Sequence, residues 1–165
     1  MPELDGYSAT SELRRKAWQG SIIATSAHAM RPRAEVRSLH GRMPHFEPVN
    51  IAEKLALIAE HWRPKVVAAL NGQEVKLVKF QGTFVWHHHE HEDELFLGIR
   101  GRFRVEFRDH AVEIGPGELV VVPRGVEHRT VADEEVEVLL FEPAATRNTG
   151  NVEHTQLTAP TGVKI

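Results

Sequence analysis

The sequence predicts an all-β protein built as an antiparallel sandwich or barrel, and three observations support that class. Between Val66 and Pro143 the apolar residues fall in short runs rather than at helical spacing. Turn-forming residues separate these runs, and no helical segment lies between them. A chain of 165 residues is also long enough for one domain with a sizeable core.

The strands are predicted from runs of β-branched and aromatic residues bounded by turn signals. Turn signals include Asn71-Gly72, Arg100-Gly101 and Gly115-Pro116-Gly117. Many short strands at this spacing favour a sandwich or barrel. The predicted strands are Val75–Phe80, Thr83–His89, Glu94–Ile99, Arg102–Phe107, Ala111–Ile114, Glu118–Val122, His128–Val131 and Val136–Phe141.

One helix is predicted ahead of the strands. Asn50 is a good N-cap, and Glu53 three positions later completes a capping box. We expect Pro64 to end the helix. The residues that recur at helical spacing and form its apolar face are Ile51, Leu55, Ile58 and Trp62.

The chain divides into three zones on these patterns. Residues 1–46 show no sustained period and are expected to form a partly irregular N-terminal arm. Residues 47–143 hold the barrel with its preceding helix. Residues 144–165 have little periodicity, and we expect a C-terminal strap there.

Composition excludes several classes of function. The formal net charge is −3, with no basic stripe interleaved with aromatic residues, so a nucleic-acid partner is not expected. No apolar run approaches the length of a membrane span. The sequence contains no cysteine, which excludes disulfides, thiolate catalysis and Cys-ligated metals. A cytoplasmic protein without a membrane partner is the expectation, and any metal must be bound by imidazole and carboxylate groups.

The densest chemical feature is a histidine-rich run that begins after Trp86. Side chains alternate between the two faces of a strand, so His87 and His89 point to one side while Trp86 and His88 point to the other. Two imidazoles on one face can share a metal ion. Glu94 opens the next strand beside this pair, and a second segment, from Gly117 onward, ends in another histidine.

These two segments resemble the two signature motifs of the cupin superfamily. The closing Asn of the second motif is replaced by Ala132, and Gly82 precedes the first histidine by four intervening residues instead of five. The first motif is matched by Gly82, His87, His89, Glu94 and Gly101, and the second by Gly117, Pro123, Gly125 and His128. The flanking sequence is similar to small bacterial cupins described as mannose-6-phosphate-isomerase-like or tetracenomycin-synthesis-like.

The resemblance implies a double-stranded β-helix, or jelly-roll barrel, with one metal site. The ligands it implies are His87, His89, Glu94 and His128. Three imidazoles and one carboxylate suit a divalent transition metal such as Fe, Mn, Ni, Co or Zn. The remaining histidines weighed as ligands are expected to lie in a turn, on the surface or in the arm: His88, His91, His110, His154, His28, His40 and His45.

Two functions of different classes remain open. The first is a metal-dependent enzyme acting on a small oxygenated molecule by dioxygenation, isomerisation, or dehydration and cyclisation. The second is a non-catalytic module that binds a small molecule. The sequence designates no catalytic residue beyond the implied ligands. A homodimer is expected in both cases, because similar chains commonly pair through sheet edges or exchanged N-terminal strands, and an exposed barrel edge needs cover.

Overall fold

A computed structural model describes residues 46–165, so nearly all of the predicted N-terminal arm, with its three histidines, lies outside the described residues. The described chain is mostly antiparallel sheet with one short helix, which confirms the predicted cupin jelly roll. The elements, in chain order, are α1 (Ile51–Ala56), β1 (Lys65–Leu70), β2 (Gln73–Thr83), β3 (Glu94–Arg100), β4 (Phe103–Phe107), β5 (Ala111–Ile114), β6 (Leu119–Val122) and β7 (His128–Pro143).

Strand β7 joins the two sides of the jelly roll. Its first residues, from His128 to Val131, pair with β4, which in turn pairs with β5. Its second half lies between β2 and β3, in a sheet whose strand order is β1-β2-β7-β3-β6. The register with β2 shifts between Phe80 and Gly82, opposite the exposed residues 133–135. This irregularity bends β7, so that one long strand can pair with strands on both sides of the jelly roll.

The interior between the two sides is filled by apolar residues that alternate along the strands. Phe80, Phe96 and Phe103 are buried together, with Phe80 and Phe103 in an edge-to-face arrangement at 5.5 Å. The other members of this cluster are Val78, Val105, Ile114, Val122, Ala132, Val136, Val138 and Leu140. Ala132 is 1% exposed. The position that usually carries the closing Asn of the motif is therefore part of the apolar interior here.

Helix α1 covers the outer face of the sheet. The Asn50 side chain caps it by accepting the backbone N–H of Glu53 at 3.2 Å, as predicted. Leu55 and the following Ile58 are buried against Leu77. A helix of six residues is not stable alone, so this burial, which contributes about 1.5–3 kcal/mol for each large apolar side chain, holds it in place.

The predicted helix was too long. It ends at Ala56 instead of reaching Pro64, and Trp62 does not lie on its apolar face. His61 forms a bridge with Lys79 of β2, and Trp62 adopts a φ of 62°. Tertiary contacts with the sheet therefore override the helical spacing, and the Trp62 ring stacks on Phe80 instead.

Three strand predictions also need correction. Strand β1 was missed, and the two last predicted strands form the single strand β7. The predicted strand Thr83–His89 is not a strand beyond its first residue, which ends β2. The rest is an extended segment that contacts β7 through isolated bonds, such as Phe84 N–H to Thr130 O at 2.9 Å.

The C-terminal segment after Pro143 consists mainly of turns and packs on the barrel. Thr146 and Thr149 are buried, and Lys164 bridges to Val66 of β1. Within residues 46–165, no helix is long and apolar enough to cross a membrane. The cytoplasmic location and the division into arm, barrel and strap stay predictions.

Candidate metal centre

Four buried side chains converge inside the barrel, and they are the four that the sequence predicted. His87 and His89 come from the extended segment after β2, Glu94 is the first residue of β3, and His128 is the first residue of β7. One ligand atom from each lies within 4.8 Å of those of the others. Each residue is at most 4% exposed. The described residues thus form a cluster that could hold one metal ion.

The backbone around His87 explains how the histidine-rich segment keeps its alternation. His87 and His128 exchange both backbone hydrogen bonds, at 3.0 and 2.9 Å. This pairing sets the segment as a strand would, so His87 and His89 are buried while Trp86 and His88 are half-buried on the other side. The predicted facing of these four side chains is confirmed, although the segment is not a regular strand.

Backbone carbonyls orient two of the imidazoles. The Nδ1 atom of His87 lies 3.0 Å from Val85 O, and that of His128 lies 2.9 Å from Val126 O. A carbonyl only accepts, so each Nδ1 donates, and in the neutral ring Nε2 then keeps its lone pair. The Nε2 atom of His128 is buried without a hydrogen bond. Such an unsatisfied atom, in a ring held by its other nitrogen, fits a metal ligand.

Electrostatics favour the charge states that a metal ion needs. Burial, aided by neighbouring His128, lowers the pKa of His87 to about 4, so this ring is neutral at pH 7. Burial works to raise the pKa of Glu94, but the imidazoles of His128 and His89 outweigh it and the pKa is lowered. His89 Nε2 lies 3.1 Å from Glu94 Oε2, and His128 Nε2 lies 3.4 Å from it. Glu94 is therefore a carboxylate at the centre of the cluster.

The pKa values of His89 and His128 are shifted in the opposite direction, upward. Burial would lower the pKa of each imidazole, but the Glu94 carboxylate outweighs this effect and raises the pKa. Without a metal, Glu94 thus favours a proton on these rings. A metal ion at the cluster would replace that positive charge, because ligation requires neutral imidazole.

Sequence reasoning missed a buried charged cluster next to this site. Lys76 of β2 is 3% exposed, and its ammonium group lies 2.9 Å from Glu142 and 3.2 Å from Glu74. Burial and the negative charge of Glu94 raise the pKa of Glu142 to about 8. No spacing in the sequence signals the Lys76–Glu142 pair, because its members are 66 positions apart and meet only when β2 pairs with β7.

A small, partly open cavity adjoins the four-residue cluster. His87 and Glu94 form part of its wall, so a molecule in the cavity would contact the centre. The remaining lining residues are Trp62, Pro64, Val78, Phe80, Phe84, Phe96, Thr130, Leu140 and Asn148. A mostly apolar lining with a few polar groups is typical of small-molecule sites.

The C-terminal segment braces the histidine-rich segment from outside. The side chain of Asn151 accepts the backbone N–H of His88 at 2.9 Å, and the Asn151 N–H donates to His88 O at 3.0 Å. Gly150 lies so close to His88 O that a Cβ atom at this position would collide with it. The strap predicted over 144–165 thus helps to fix the backbone that carries His87 and His89.

The other histidines within the described residues lie outside the cluster, as expected. His91 is exposed, and exposed His110 contacts the neighbouring Asp109. His154 accepts backbone N–H groups of its own turn, from Gln156 and Leu157. His88 is half-buried on the side of the segment away from the cluster.

Comparison with known proteins agrees with the fold. Residues 73–142 match the Cupin domain family. A cupin-2 domain containing protein of Shewanella frigidimarina, known as a crystal structure, is 41% identical with a TM-score of 0.57, over 58% of this chain and 93% of that one. A protein of Neisseria meningitidis is 32% identical with a TM-score of 0.55, over 59% of this chain and 100% of that one.

A curated relative extends the comparison. The uncharacterized protein YdbB of Bacillus subtilis is 32% identical over 65 residues, which are 39% of this chain and 58% of that protein. The chain thus spans a little over half of that relative. With the high coverage of the Shewanella protein, these matches show that the chain belongs to the cupin family.

Proposed function

We propose that the protein is a metal-dependent enzyme in which His87, His89, Glu94 and His128 bind one divalent transition metal and act on a small oxygenated molecule. The convergence of four buried ligand atoms beside a cavity is the observation that carries this proposal. Three imidazoles and one carboxylate suit Fe, Mn, Ni, Co or Zn. When bound, such an ion polarises an oxygen-bearing group or lowers the pKa of a bound water.

The residues around the proposed metal ion set the charge and the polarity of its surroundings. Glu94 provides a negative charge and His87 a neutral imidazole at the cavity wall. The aromatic wall is apolar, and an apolar environment strengthens electrostatic interactions. Dioxygenation, isomerisation, and dehydration or cyclisation are all compatible with this arrangement.

Elemental analysis of protein purified without a histidine tag tests the proposal. We expect about one equivalent of a transition metal per chain, retained through gel filtration and removed only by a strong chelator. Reloading with Fe, Mn, Ni, Co or Zn in turn, followed by turnover assays, then shows which ion supports activity. Protein that holds almost no metal and does not take up any of these ions would contradict the metal site.

A non-catalytic binding module is the second candidate, because the cavity would hold a small molecule whether or not the molecule is converted. The two functions differ in one observable. Formation of a product that depends on His87 and Glu94 excludes the binding module. Saturable binding of a molecule that is recovered unchanged from the metal-loaded protein supports it.

We further propose a homodimer formed through the β6 edge. Within the described residues β6 ends the sheet and pairs only with β3. Leu119 and Val121 on its outer face are 58% and 50% exposed. An open edge with apolar side chains needs cover, and a second copy can supply it by extending the sheet across a two-fold axis.

Light scattering coupled to gel filtration tests the dimer. We expect twice the mass of one chain at micromolar concentration, and a shift toward the monomer in Val121→Lys. Glu113→Lys, at an exposed site on β5 away from this edge, is the control and should stay dimeric. A stable monomer of the unmodified chain would refute the dimer.

A further inference from the structure

The geometry points to an aromatic ligand for the barrel cavity: a small uncharged molecule with a planar ring and one or two oxygen atoms. This inference deepens the proposed function, since the oxygen end of the ligand would lie toward the proposed metal centre. The ring of the ligand follows from the cavity wall alone. Among small oxygenated molecules, this wall favours an aromatic compound over a sugar derivative or a keto-acid.

The wall opposite the centre is built from stacked aromatic rings. The Trp62 ring lies 4.6 Å from that of Phe80 at an angle of 15°, and 4.7 Å from that of Phe84 at 28°. Phe84 in turn meets the His87 ring edge-on at 5.4 Å. A continuous aromatic surface thus leads from the cavity wall to the metal cluster. Such a surface favours a flat apolar molecule, because ring pairs gain attraction beyond that of buried area.

Trp62 is held in this place by an unusual backbone. Its φ of 62° lies in the left-handed region, which bulky residues rarely adopt. Its N–H donates to Lys79 O at 3.0 Å, and its carbonyl accepts from Asn148 Nδ2 at 3.3 Å. Backbone strain of this kind persists where the surrounding structure enforces it, and it is common at ligand sites. The indole is therefore a fixed part of the wall.

The polar groups of the wall are too few for a sugar or an acid. Apart from His87 and Glu94, only Thr130 and Asn148 are polar among the lining residues, and neither Lys nor Arg is among them. Asn148 is already occupied, because its amide also donates to Leu157 O and its oxygen accepts Ala159 N–H, both at 2.9 Å. The hydroxyls of a sugar would lose their hydrogen bonds to water without replacement. A phosphate or free carboxylate would lack a cationic side chain.

Fluorescence titration tests this assignment. The chain has three tryptophans, so the double variant Trp18→Phe/Trp86→Phe leaves Trp62 as the only indole. Catechol and hydroquinone are compared with mannose 6-phosphate and pyruvate, each added to metal-free and to metal-loaded protein. We expect a saturable change of Trp62 emission with the aromatic diols alone, in both forms of the protein. Saturable binding of mannose 6-phosphate or pyruvate, without binding of the diols, would overturn the inference.

A matched pair of variants checks that the wall is responsible. Trp62→Leu should weaken catechol binding, measured by calorimetry, by about tenfold, the loss expected for one aromatic contact. Trp86→Leu is the control, because Trp86 packs beneath Arg108 at 4.0 Å and does not line the cavity. Equal affinities in the two variants would refute the wall's role. Metal content of the same samples separates the two proposals. Protein that takes up no metal yet binds catechol refutes the metal site alone, whereas metal-loaded protein that does not bind catechol refutes the aromatic ligand alone.

Discussion

His128→Ala is expected to lower the affinity for transition metals by more than about 100-fold and to abolish any metal-dependent activity. Even residues that only orient a metal ligand affect affinity about 10- to 100-fold, so the loss of a ligand itself should exceed that range. The His128 ring is fully buried, and its Nε2 atom has no hydrogen bond. Replacement by Ala removes this unsatisfied atom, together with the Nδ1 hydrogen bond to Val126 O and the contact with Glu94.

The matched control is His91→Ala. His91 belongs to the same histidine-rich run, but it is exposed and lies outside the four-residue cluster. Titration of metal-free protein with Zn²⁺ or Mn²⁺, followed by calorimetry, measures both variants against the unmodified chain. His91→Ala should bind as tightly as the unmodified chain. Equal loss in both variants would mean that the run binds metal nonspecifically, and no loss in His128→Ala would remove it from the ligand set.

A circular dichroism melt of His128→Ala separates loss of a ligand from loss of the fold. The substitution leaves a cavity next to Phe96, whose ring lies 6.0 Å from that of His128. We expect the variant to unfold cooperatively at a lower temperature, since cavities destabilise without changing the fold. A folded variant without metal affinity assigns the effect to the ligand.

The ligand set could be predicted from the sequence because its signals are local. His87 and His89 obey the period of an extended chain, Glu94 follows an acidic turn, and His128 follows a turn with a proline and a glycine. The alternation held even where the segment proved irregular, because one pair of backbone bonds with His128 was enough to set it. The resemblance to cupins then joined the two local patterns into one site.

The cavity could not be predicted in the same way. Trp62 fits a helical apolar face in sequence, yet its backbone turns the indole onto Phe80 and Phe84, which are distant in the chain. Asn148, which holds Trp62, lies in a segment without periodicity. Long-range contacts decided these positions, and local pattern carries no information about them.

The length of β7 also depends on long-range contacts that the local sequence pattern does not show. Residues 133–135 are exposed and read as a turn, so two strands were predicted there. The strand continues because its first half pairs with β4 and its second half with β3, while β2 pairs with parts of both halves. Only the pairing partners make one strand of this segment.

Lys76→Met is expected to destabilise the protein by about 3 kcal/mol, the largest loss of stability that we predict for a residue outside the metal cluster. Removing one partner of a buried ion pair costs about 3–5 kcal/mol, because the remaining charge stays buried without compensation. Here Glu142 and Glu74 would both remain. The low end of the range applies because burial raises the pKa of Glu142 to about 8, so much of it is protonated at neutral pH.

Lys79→Met is the matched control on the same strand. Lys79 lies 3.6 Å from Glu137 and is 16% exposed in its side chain, so its pair is longer and reaches solvent. We expect a loss of at most about 1 kcal/mol for this variant.

The double variant Lys76→Met/Glu142→Gln should regain about half of the stability lost in Lys76→Met, because one buried carboxylate is removed with its partner. Urea unfolding curves give all three free energies of unfolding. If Lys76→Met costs no more than Lys79→Met, the buried cluster does not contribute to stability.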